Sequence, residues 1–433
     1  MDKLTDILYK WNNWQDSKLN GGFKRAVSDE IFPLHKTEDI ITLIGPRRAG
    51  KTTILYQIIN KLEQIKDKKS ILHINFEEPF FATELNLKLL DKIYEHYRNN
   101  IFPEGKAYLF LDEIQNIPQW ERWVRARNES ENIKIFITGS SAKLLSRELG
   151  TLLTGRHLSF SIYPLSFKEI LEFRKITIPN NLATLSPPPR IANALLEYLK
   201  WGGFPRIVLE ENENIKLELL KQYFDDILYK DIIMRHQIRD VTMLRELAAH
   251  LITNTASLTS TKRLANIFGV SQSAISSYQD YLEEGFLLNG LPFFSLKQAE
   301  RNRHPRKIYC MDLGLRMAVN NSNSPDNGKV LETLINNVLM ERCEGNVFYW
   351  QKTGEVDFLT RDNFKIKNAY QVVHKGLDDP KTFKRKISSL IEASEHFEDI
   401  DLKLICSQIP EGLETDPRIK LIPLWHFLLN EDY

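Results

Sequence analysis

The chain has 433 residues, of which 42% are hydrophobic and 27% are charged. This composition excludes a disordered or fibrous chain, and the length predicts about two to four domains rather than a single core. The 58 basic and 57 acidic residues leave a formal net charge of +1, so any surface for a polyanion must be local.

The cysteines and the apolar runs indicate the cellular compartment. Cys310, Cys343 and Cys406 are odd in number and lack metal-ligand spacing, which is typical of free thiols in a reducing cytoplasm. No run approaches the roughly 18 apolar residues of a membrane span, and the charged N-terminus lacks the apolar segment of a signal peptide. We therefore expect a cytoplasmic protein.

Three patterns of apolar residues follow one another along the chain. After an N-terminal helical segment at residues 1–37, apolar runs alternate with amphipathic stretches over residues 38–175. This alternation predicts an α/β fold, with a buried parallel sheet and helices on both faces. A proline-rich break at residues 184–190 precedes a mostly helical region, and residues 325–433 return to a second α/β pattern.

Residues 43–57, LIGPRRAGKTTILYQ, match the phosphate-binding pattern G-x-x-x-x-G-K-[ST]. A strand pattern precedes them and a helical pattern follows, which is the order that a P-loop requires and an ordinary glycine-rich turn lacks. Lys51 would contact the β- and γ-phosphates of ATP, and the Thr52 hydroxyl would hold Mg²⁺. The predicted nucleotide-binding residues of the loop are Gly45, Pro46, Arg47, Arg48, Ala49, Gly50, Lys51, Thr52 and Thr53. We expect the Arg47 and Arg48 side chains to project away from the phosphates and to pack or contact another subunit.

A second nucleotide motif lies in AYLFLDEIQN, residues 107–116, where an apolar run ends in two acids. Asp112 would join the Mg²⁺ shell, and Glu113 would orient and deprotonate the attacking water. Two solvated acids at a strand end are the alternative interpretation. Because the P-loop precedes this pair by about 60 residues, the two motifs support one another and predict ATP hydrolysis.

Two further positions are candidates for contact with the reacting phosphate. Ser140, in the strand pattern KIFITGSS, would lie beside the γ-phosphate, with Thr138 as the second choice and a simple helix cap as the alternative role of Ser140. Arg156 would stabilise charge on the transferred phosphoryl group of its own or a neighbouring subunit, with Arg147 as the second choice.

Residues 260–288 have the pattern of a helix-turn-helix, with Gly269 at the turn and Ser271 as the cap of the second helix. The positions predicted to face DNA on the second helix are Gln272, Ser273 and Ser276, which are uncharged and give no evident base readout. In the basic segment that follows, the predicted phosphate contacts are Arg301, Arg303, Arg306 and Lys307. A protein-docking module, or a solvated charged face, is the alternative.

The motifs GPRRAGKTT, LFLDEIQNIPQW, FITGSSAKLLSRELGTLLTGR, YPLSFKEIL and WGGFPRIVL resemble those of prokaryotic ATPases of the AAA/STAND type. These proteins carry a winged helix and a restriction-endonuclease-like C-terminal domain of unassigned function. The resemblance implies an AAA-type core at residues 38–175, a helical lid at 190–245, a winged helix at 246–310 and a nuclease-like domain at 325–433. It also implies a homo-oligomer, with a hexameric ring as one form. By the same resemblance Pro205 of the GGFP motif would pack near the nucleotide; a glycine-proline loop between helices is the alternative.

The C-terminal pattern resembles the PD-(D/E)xK nuclease core, which holds Mg²⁺ on two carboxylates and needs a lysine. Glu332 and Asp357 would be the acids. On the next strand, Gln371 stands at an acid position and Val373 at the lysine position, while Lys375 lies about 6–7 Å beyond it on the same face. We therefore expect a degenerate site used for binding or assembly, with residual cleavage as the alternative.

Together these patterns predict an ATP-hydrolysing AAA-type protein whose nucleotide cycle drives or gates binding to DNA, either duplex or branched. The alternatives are a STAND-type signalling switch that binds a protein partner and an ATP-dependent nuclease. Turnover that rises with DNA would favour the first function, and turnover indifferent to DNA would favour the switch.

Overall fold

The computed structural model describes residues 3–15, 19–142, 155–179, 184–319, 326–374, 380–409, 413 and 415–430. The chain divides into two compact units, Met1–Tyr163 and Pro164–Tyr433. Each unit has buried apolar clusters of its own.

The first unit is built on a parallel sheet of five strands in the order β2-β3-β4-β1-β5. The strands are β1 Ile40–Ile44, β2 Ile71–Asn75, β3 Ala107–Asp112, β4 Ile133–Gly139 and β5 His157–Ser161. Every residue of β1, β3 and β4 is buried, as expected for strands covered on both faces. The predicted α/β fold with a parallel sheet is confirmed.

The helices of the first unit are α1 Lys3–Trp11, α2 Ala26–Ile31, α3 Lys51–Leu62, α4 Leu87–Asn100 and α5 Trp120–Ser130. The apolar face of α3 joins the sheet core through Ile54, Leu55 and Ile58, which are fully buried. Strand β4 lies between β1 and β3, so the carboxyl ends of these three strands lie side by side at one edge of the sheet.

The second unit begins with a helical region. Its helices, in chain order through the whole unit, are α6 Phe167–Phe173, α7 Pro189–Trp201, α8 Pro205–Leu209, α9 Glu213–Asp226, α10 Val241–Thr253, α11 Thr261–Phe268, α12 Gln272–Glu284, α13 Gln298–Arg303, α14 Leu313–Val319, α15 Asn327–Arg342, α16 Pro380–His396 and α17 Leu424–Leu429. Helix α9 continues as a π-helix at Ile227–Ile233 and a last α turn at Met234–His236. Among the described residues, none of these helices or those of the first unit is long and apolar enough to cross a membrane.

The predicted helix-turn-helix lies between the first and second strands, in chain order, of a three-stranded antiparallel sheet. Its strands, in the order β6-β8-β7, are β6 Ser257–Thr259, β7 Leu288–Leu291 and β8 Arg306–Cys310. Helices α11 and α12 meet at Gly269, whose φ of 66° suits glycine, and Ser271 caps α12 by accepting a hydrogen bond from the Ala274 N–H. The predicted basic segment contains helix α13, between β7 and β8.

A second sheet of five strands forms the C-terminal part of this unit, in the order β13-β12-β11-β10-β9. Its strands are β9 Val347–Gln351, β10 Glu355–Asp362, β11 Lys365–Val373, β12 Asp401–Cys406 and β13 Ile419–Pro423. Strand β10 pairs antiparallel with β9 and β11, whereas β11, β12 and β13 run parallel. Helix α16 is the crossover between the parallel strands β11 and β12.

The GGFP motif packs inside the second unit. The Gly203 N–H donates to Asp312 Oδ2 over 2.8 Å, and a Cβ on Gly202 would lie 1.9 Å from Asp312 Oδ1. The Leu165 N–H donates to the Gly203 carbonyl oxygen over 2.7 Å. Both glycines are therefore required by close approach to Asp312 and Leu165. The position of Pro205 near the nucleotide stays a prediction.

Candidate functional site

The P-loop follows β1, and the backbone geometry requires glycine at two of its positions. Gly50, with φ of 101°, is the N-cap of α3 and provides no side-chain hydrogen bond to the helix. A Cβ on Gly45 would lie 1.9 Å from the Ile162 carbonyl oxygen. The first N–H groups of α3 are thus left for an anion at the end where the helix dipole is positive.

Lys51 is buried at the start of α3, with 4% of its surface exposed. Its Nζ donates to the carbonyl oxygens of Gly45 and Pro46 over 3.0 and 3.1 Å, and it lies 3.5 Å from Glu113 Oε1. The two hydrogen bonds go to neutral carbonyl oxygens, and the Glu113 carboxylate lies at a longer distance, so a phosphate can compete for the ammonium group.

Asp112, at the end of β3, accepts hydrogen bonds from neutral groups of three neighbouring elements. The Thr52 hydroxyl donates over 2.8 Å and the Asn75 amide over 3.0 Å, both to Oδ2, while the Thr138 hydroxyl donates to Oδ1. Burial, together with the charge of Glu113, raises the pKa of Asp112 to about 6. The sequence did not identify Asn75; the signal available was its position at the end of a buried strand beside β3.

Glu113 follows Asp112 with φ of 55°, a left-handed conformation that is unusual for a non-glycine residue and is found at functional sites. Burial alone would raise the pKa of Glu113, but the charges of Lys51 and Arg47 outweigh burial and hold it below its ordinary value. The Gln115 amide donates to Glu113 and, over 3.2 Å, to Ser140 Oγ. An ionised carboxylate at this position can accept a proton from a bound water.

The remaining predicted residues of this site are distributed as follows. Thr138 contacts the acidic pair directly, since its hydroxyl also accepts from the Glu113 N–H over 2.9 Å, whereas Ser140 is buried beside Gln115. Arg47 is buried and forms an ion pair with Glu77, and its charge also acts on Glu113; whether its side chain points away from bound phosphates stays a prediction. Arg48 and Arg156 are exposed. Arg147 lies outside the described residues, and Pro205 belongs to the second unit, at the start of α8.

The residues present fit a nucleotide with Mg²⁺. Lys51 and the uncapped start of α3 suit phosphate oxygens, while the Thr52 hydroxyl and the Asp112 carboxylate are hard oxygen ligands. Over the described parts of the chain, no group of three His, Cys, Asp or Glu side chains is arranged to hold a metal ion alone. Mg²⁺ commonly takes one or two carboxylates and completes its shell with water and phosphate, which this donor set would permit.

The predicted DNA-contacting residues fall into two groups. Gln272, Ser273 and Ser276 are exposed on α12, as predicted. A groove of about 410 Å³ on the neighbouring helix α11 is lined by Ser260, Lys262, Arg263, Asn266 and Ile267, and its two cations were not identified from the sequence. They were missed because the strongest basic run lies elsewhere in the chain.

The basic segment differs from the prediction at two of its four positions. Lys307 is buried, with 4% exposed, and forms ion pairs with Glu332 and Glu355 rather than lying on the surface. Arg306 is half-buried and forms ion pairs with Asp280 and Glu283. Arg306 and Lys307 are the first two residues of β8. The pairing of this strand brings both side chains next to acids that are distant in sequence. Among the described residues, Arg301 and Arg303 have no acidic partner within 4 Å.

The predicted nuclease-like residues lie beside two lysines, Lys307 and Lys386, that the sequence did not place near them. Lys386, on α16, donates to both oxygens of Asp357 over 2.8 and 2.6 Å. Lys307 Nζ donates to Glu332 Oε1 over 2.9 Å and also to Glu355. Gln371 is fully buried, and its amide donates to the Glu355 carbonyl oxygen. Val373 is buried in the core, and Lys375 lies outside the described residues.

Comparisons with known proteins agree with this geometry. A family model described as an AAA domain matches residues 37–171, and a domain of unknown function, DUF8612, matches residues 192–326. The uncharacterized protein MJ1544 of Methanocaldococcus jannaschii is 34% identical over 437 residues, which cover 97% of this chain and 94% of that protein. The chain belongs to the MJ1544 family.

Other members of this comparison are more distant. An uncharacterized protein of Haemophilus influenzae is 29% identical over 338 residues, which cover 77% of this chain and 82% of that protein. Among solved structures, the Aeropyrum pernix ORC1 protein in complex with DNA is 12% identical with a TM-score of 0.33, covering 76% of this chain and 96% of its own. The AAA match by itself assigns residues 37–171 of this MJ1544-family chain to the P-loop ATPases, as the sequence predicts.

Proposed function

We propose that the protein is an AAA-type ATPase whose ATP hydrolysis drives or gates its binding to DNA. The observation that supports it most is the meeting of Lys51, Thr52, Asp112 and Glu113 at the carboxyl edge of the parallel sheet. Open α/β sheets bind ligands at this edge, and the four side chains supply the charges that phosphoryl transfer needs.

Each residue has a distinct part in this proposal. Lys51 binds the phosphates, and Thr52 and Asp112 hold Mg²⁺, which when bound neutralises the negative charge that develops on the phosphate oxygens. Glu113 orients the attacking water and accepts its proton, since the nearby cations keep its carboxylate ionised. Arg156, exposed just before β5, is available to stabilise charge in its own subunit or in a neighbour of a homo-oligomer.

The proposed DNA surface is the winged helix formed by α11, α12 and the sheet β6-β8-β7. The exposed N-terminal part of α12 suits a recognition helix, and Lys262 and Arg263 in the α11 groove add positive charge beside it. Arg301 and Arg303 are further candidates for phosphate contact. We infer a winged helix from this element order, with helices α7–α9 as the lid.

A protein-binding STAND-type switch is the second candidate function. The ion pairs of Arg306 and Lys307 favour it, because they remove two of the four cations predicted to contact phosphates. The test is ATP turnover measured side by side with single-stranded, duplex and four-way DNA. A rise of about threefold or more with DNA supports the DNA-coupled ATPase, equal turnover in all samples supports the switch, and Lys51→Ala controls for contaminating ATPases.

We propose no nuclease activity. Both Asp357 oxygens accept hydrogen bonds from Lys386, and Oδ2 also accepts from the Val372 N–H over 2.9 Å. Plasmid and junction DNA should remain intact with Mg²⁺ or Mn²⁺. Cleavage that disappears in Asp357→Ala would show that this inference is wrong.

A further inference from the structure

The proposed function leaves one buried cation of the P-loop, Arg47, without a role. Arg47 lies between Gly45 and Gly50, and its side chain is 9% exposed. Its guanidinium group forms an ion pair with Glu77, which follows strand β2 at the carboxyl edge of the sheet. The Glu77 side chain is 41% exposed, so the arginine lies on the inner side of this pair and the acid on the solvent side.

The loop that contains Glu77 is attached to the acid at the end of strand β3. The Glu77 N–H donates to Asn75 Oδ1 over 2.7 Å, and the Asn75 amide donates to Asp112 Oδ2 over 3.0 Å. Since Asp112 also accepts from the Thr52 hydroxyl, the partner of Arg47 belongs to the same hydrogen-bond network as the proposed Mg²⁺ ligands.

Arg47 is also close to the proposed base. Burial acts to raise the pKa of Glu113, but the charges of Lys51 and, next, Arg47 outweigh it, which places Arg47 near this acid. The carbonyl of Arg156 accepts from the Ile40 N–H over 3.0 Å, at the start of β1, whereas the P-loop follows the other end of β1. Within one subunit Arg47 is therefore the better placed arginine, which leaves Arg156 for a neighbouring subunit.

The ion pair also indicates which ligand could exchange with Glu77. A guanidinium group donates in a planar fork that matches carboxylate and phosphate oxygens alike, so a phosphate can replace a carboxylate as its partner. Glu113 orients the water that attacks the γ-phosphate in the proposed function, and Arg47 lies near Glu113. The γ-phosphate is thus the group that would meet Arg47, and ADP lacks it.

We propose that Arg47 is a catalytic arginine supplied by the P-loop of the same subunit, and that it exchanges Glu77 for the γ-phosphate when ATP binds. In the nucleotide-free chain Glu77 holds the guanidinium group and satisfies its charge. On the γ-phosphate the same group neutralises negative charge that develops during phosphoryl transfer. This role rests on the proposed ATP hydrolysis but not on DNA binding, and it replaces the expectation that the Arg47 side chain projects away from the phosphates.

The experiment compares two affinities by titration calorimetry with Mg²⁺, one for AMP-PNP, a triphosphate that resists hydrolysis, and one for ADP. Arg47→Gln removes the charge, Arg47→Lys keeps a charge without the planar fork, and Glu77→Gln removes the competing carboxylate. Arg125→Gln, at an exposed position on α5, is the matched control. Phosphate release from ATP and thermal unfolding are recorded for every protein.

Arg47→Gln should lose about tenfold or more of the preference for the triphosphate, while its affinity for ADP changes by less than about threefold. Its turnover should fall by about 10²–10³-fold, and Arg47→Lys should lie between this variant and the native chain. Glu77→Gln should bind AMP-PNP about threefold or more tightly than the native chain does, because the competing acid is gone. Arg125→Gln should behave as the native chain.

The opposite behaviour of the two variants separates this role from a structural one. If the ion pair only fixes the loop, Arg47→Gln and Glu77→Gln should weaken the binding of both nucleotides alike, and that result would overturn the proposal. A native triphosphate preference and turnover in Arg47→Gln would also contradict it, while the proposed function stands. If Arg47→Gln does not fold, Glu77→Gln decides, because unchanged or weaker binding of AMP-PNP there excludes an exchange of partners. A native chain that binds neither nucleotide would overturn the proposed function as well.

Discussion

In the first unit Lys51 donates to two backbone carbonyl oxygens and lies 3.5 Å from Glu113, whereas in the second unit Lys307 contacts two carboxylates directly. The acids differ in the same way. Asp112 accepts from neutral side chains, and Asp357 accepts from the ammonium group of Lys386. Both places contain buried lysines and carboxylates, yet only the second pairs them closely.

Because of this difference, the P-loop site can bind a charged ligand, whereas the ion-paired side chains of the second unit cannot. Neutral hydrogen bonds hold the P-loop groups in position and leave their charges for phosphate and Mg²⁺, at a cost in stability. Close ion pairs satisfy the charges of Lys307, Lys386 and their acidic partners within the fold, so breaking one leaves an uncompensated charge. Replacing Glu113 should therefore mainly affect activity, whereas replacing Asp357 should mainly affect stability.

The largest expected effect is that of Glu113→Gln on turnover. ATP should still bind, because Lys51 and Thr52 remain, while hydrolysis should fall by about 10²–10⁴-fold with the loss of the base. Binding is measured by fluorescence of a nucleotide analogue and hydrolysis by phosphate release. Glu104→Gln, exposed in the loop before β3, is the control. Near-native turnover in Glu113→Gln would mean that another group is the base.

Asp357→Asn tests whether the ion pair of Asp357 with Lys386 stabilises the second unit. The ammonium group of Lys386 would lose its carboxylate, so the second unit should be destabilised by roughly 3–5 kcal/mol. Asp362→Asn changes an exposed acid on the same strand and is the matched control. Calorimetry of both variants decides the point; equal unfolding temperatures would show that the Lys386 pair is not important for stability.

Lys51→Ala should weaken ATP binding by at least about 100-fold, or about 3 kcal/mol, because the variant loses the ammonium group that the P-loop places at the phosphates. Lys66→Ala, at an exposed position just beyond the end of α3, should bind ATP as the native chain does. Titration calorimetry with ATP and Mg²⁺ measures both affinities. A reduction of less than tenfold in Lys51→Ala would contradict the assignment of the phosphate site.

Asp112→Asn should change stability in the direction opposite to Asp357→Asn. The pKa of Asp112 is about 6 in the fold against an ordinary 3.8, so its ionised form is disfavoured above pH 6 and the cost disappears as pH falls toward 4. The neutral variant should be more stable at pH 7.5 by about 1–2 kcal/mol, after weakened hydrogen bonds are allowed for. Unfolding temperatures at pH 7.5 and 5 test this, with exposed Asp6→Asn as the control. A difference that grows at pH 5 would contradict it.

The smallest effect concerns the cations of the basic segment. Replacing Arg301 and Arg303 with Ala should flatten the log–log salt dependence of duplex DNA binding by up to about 2 units, because each phosphate that a cation neutralises contributes about 0.9 to the slope. Arg306→Ala should change the slope little, since Asp280 and Glu283 already neutralise that charge. Fluorescence anisotropy over a series of salt concentrations measures the slopes. Equal slopes in all variants would favour the protein-binding switch.

Local patterns in the sequence determined much of the first unit. The spacing of Gly45, Gly50 and Lys51, and the apolar run that ends at Asp112, identify a strand, a loop and a second strand without knowledge of the fold. The buried parallel sheet and the AAA domain confirm this part of the interpretation. These features are readable because each depends on residues within a few positions of one another, where backbone geometry imposes a fixed period.

The tertiary structure alone decided which distant groups meet. Because β4 lies between β1 and β3, Thr138 at its end contacts Asp112, and Asn75 at the end of β2 contacts Asp112 from the other side of β3. In the second unit, Lys307 and Lys386 approach acids that lie 25 and 29 residues away in sequence. No period relates such positions, because charge pairing acts through space and depends on how strands and helices pack rather than on their order in the chain. For that reason the sequence predicted Lys307 as an exposed phosphate contact, whereas in the fold it is a buried counterion.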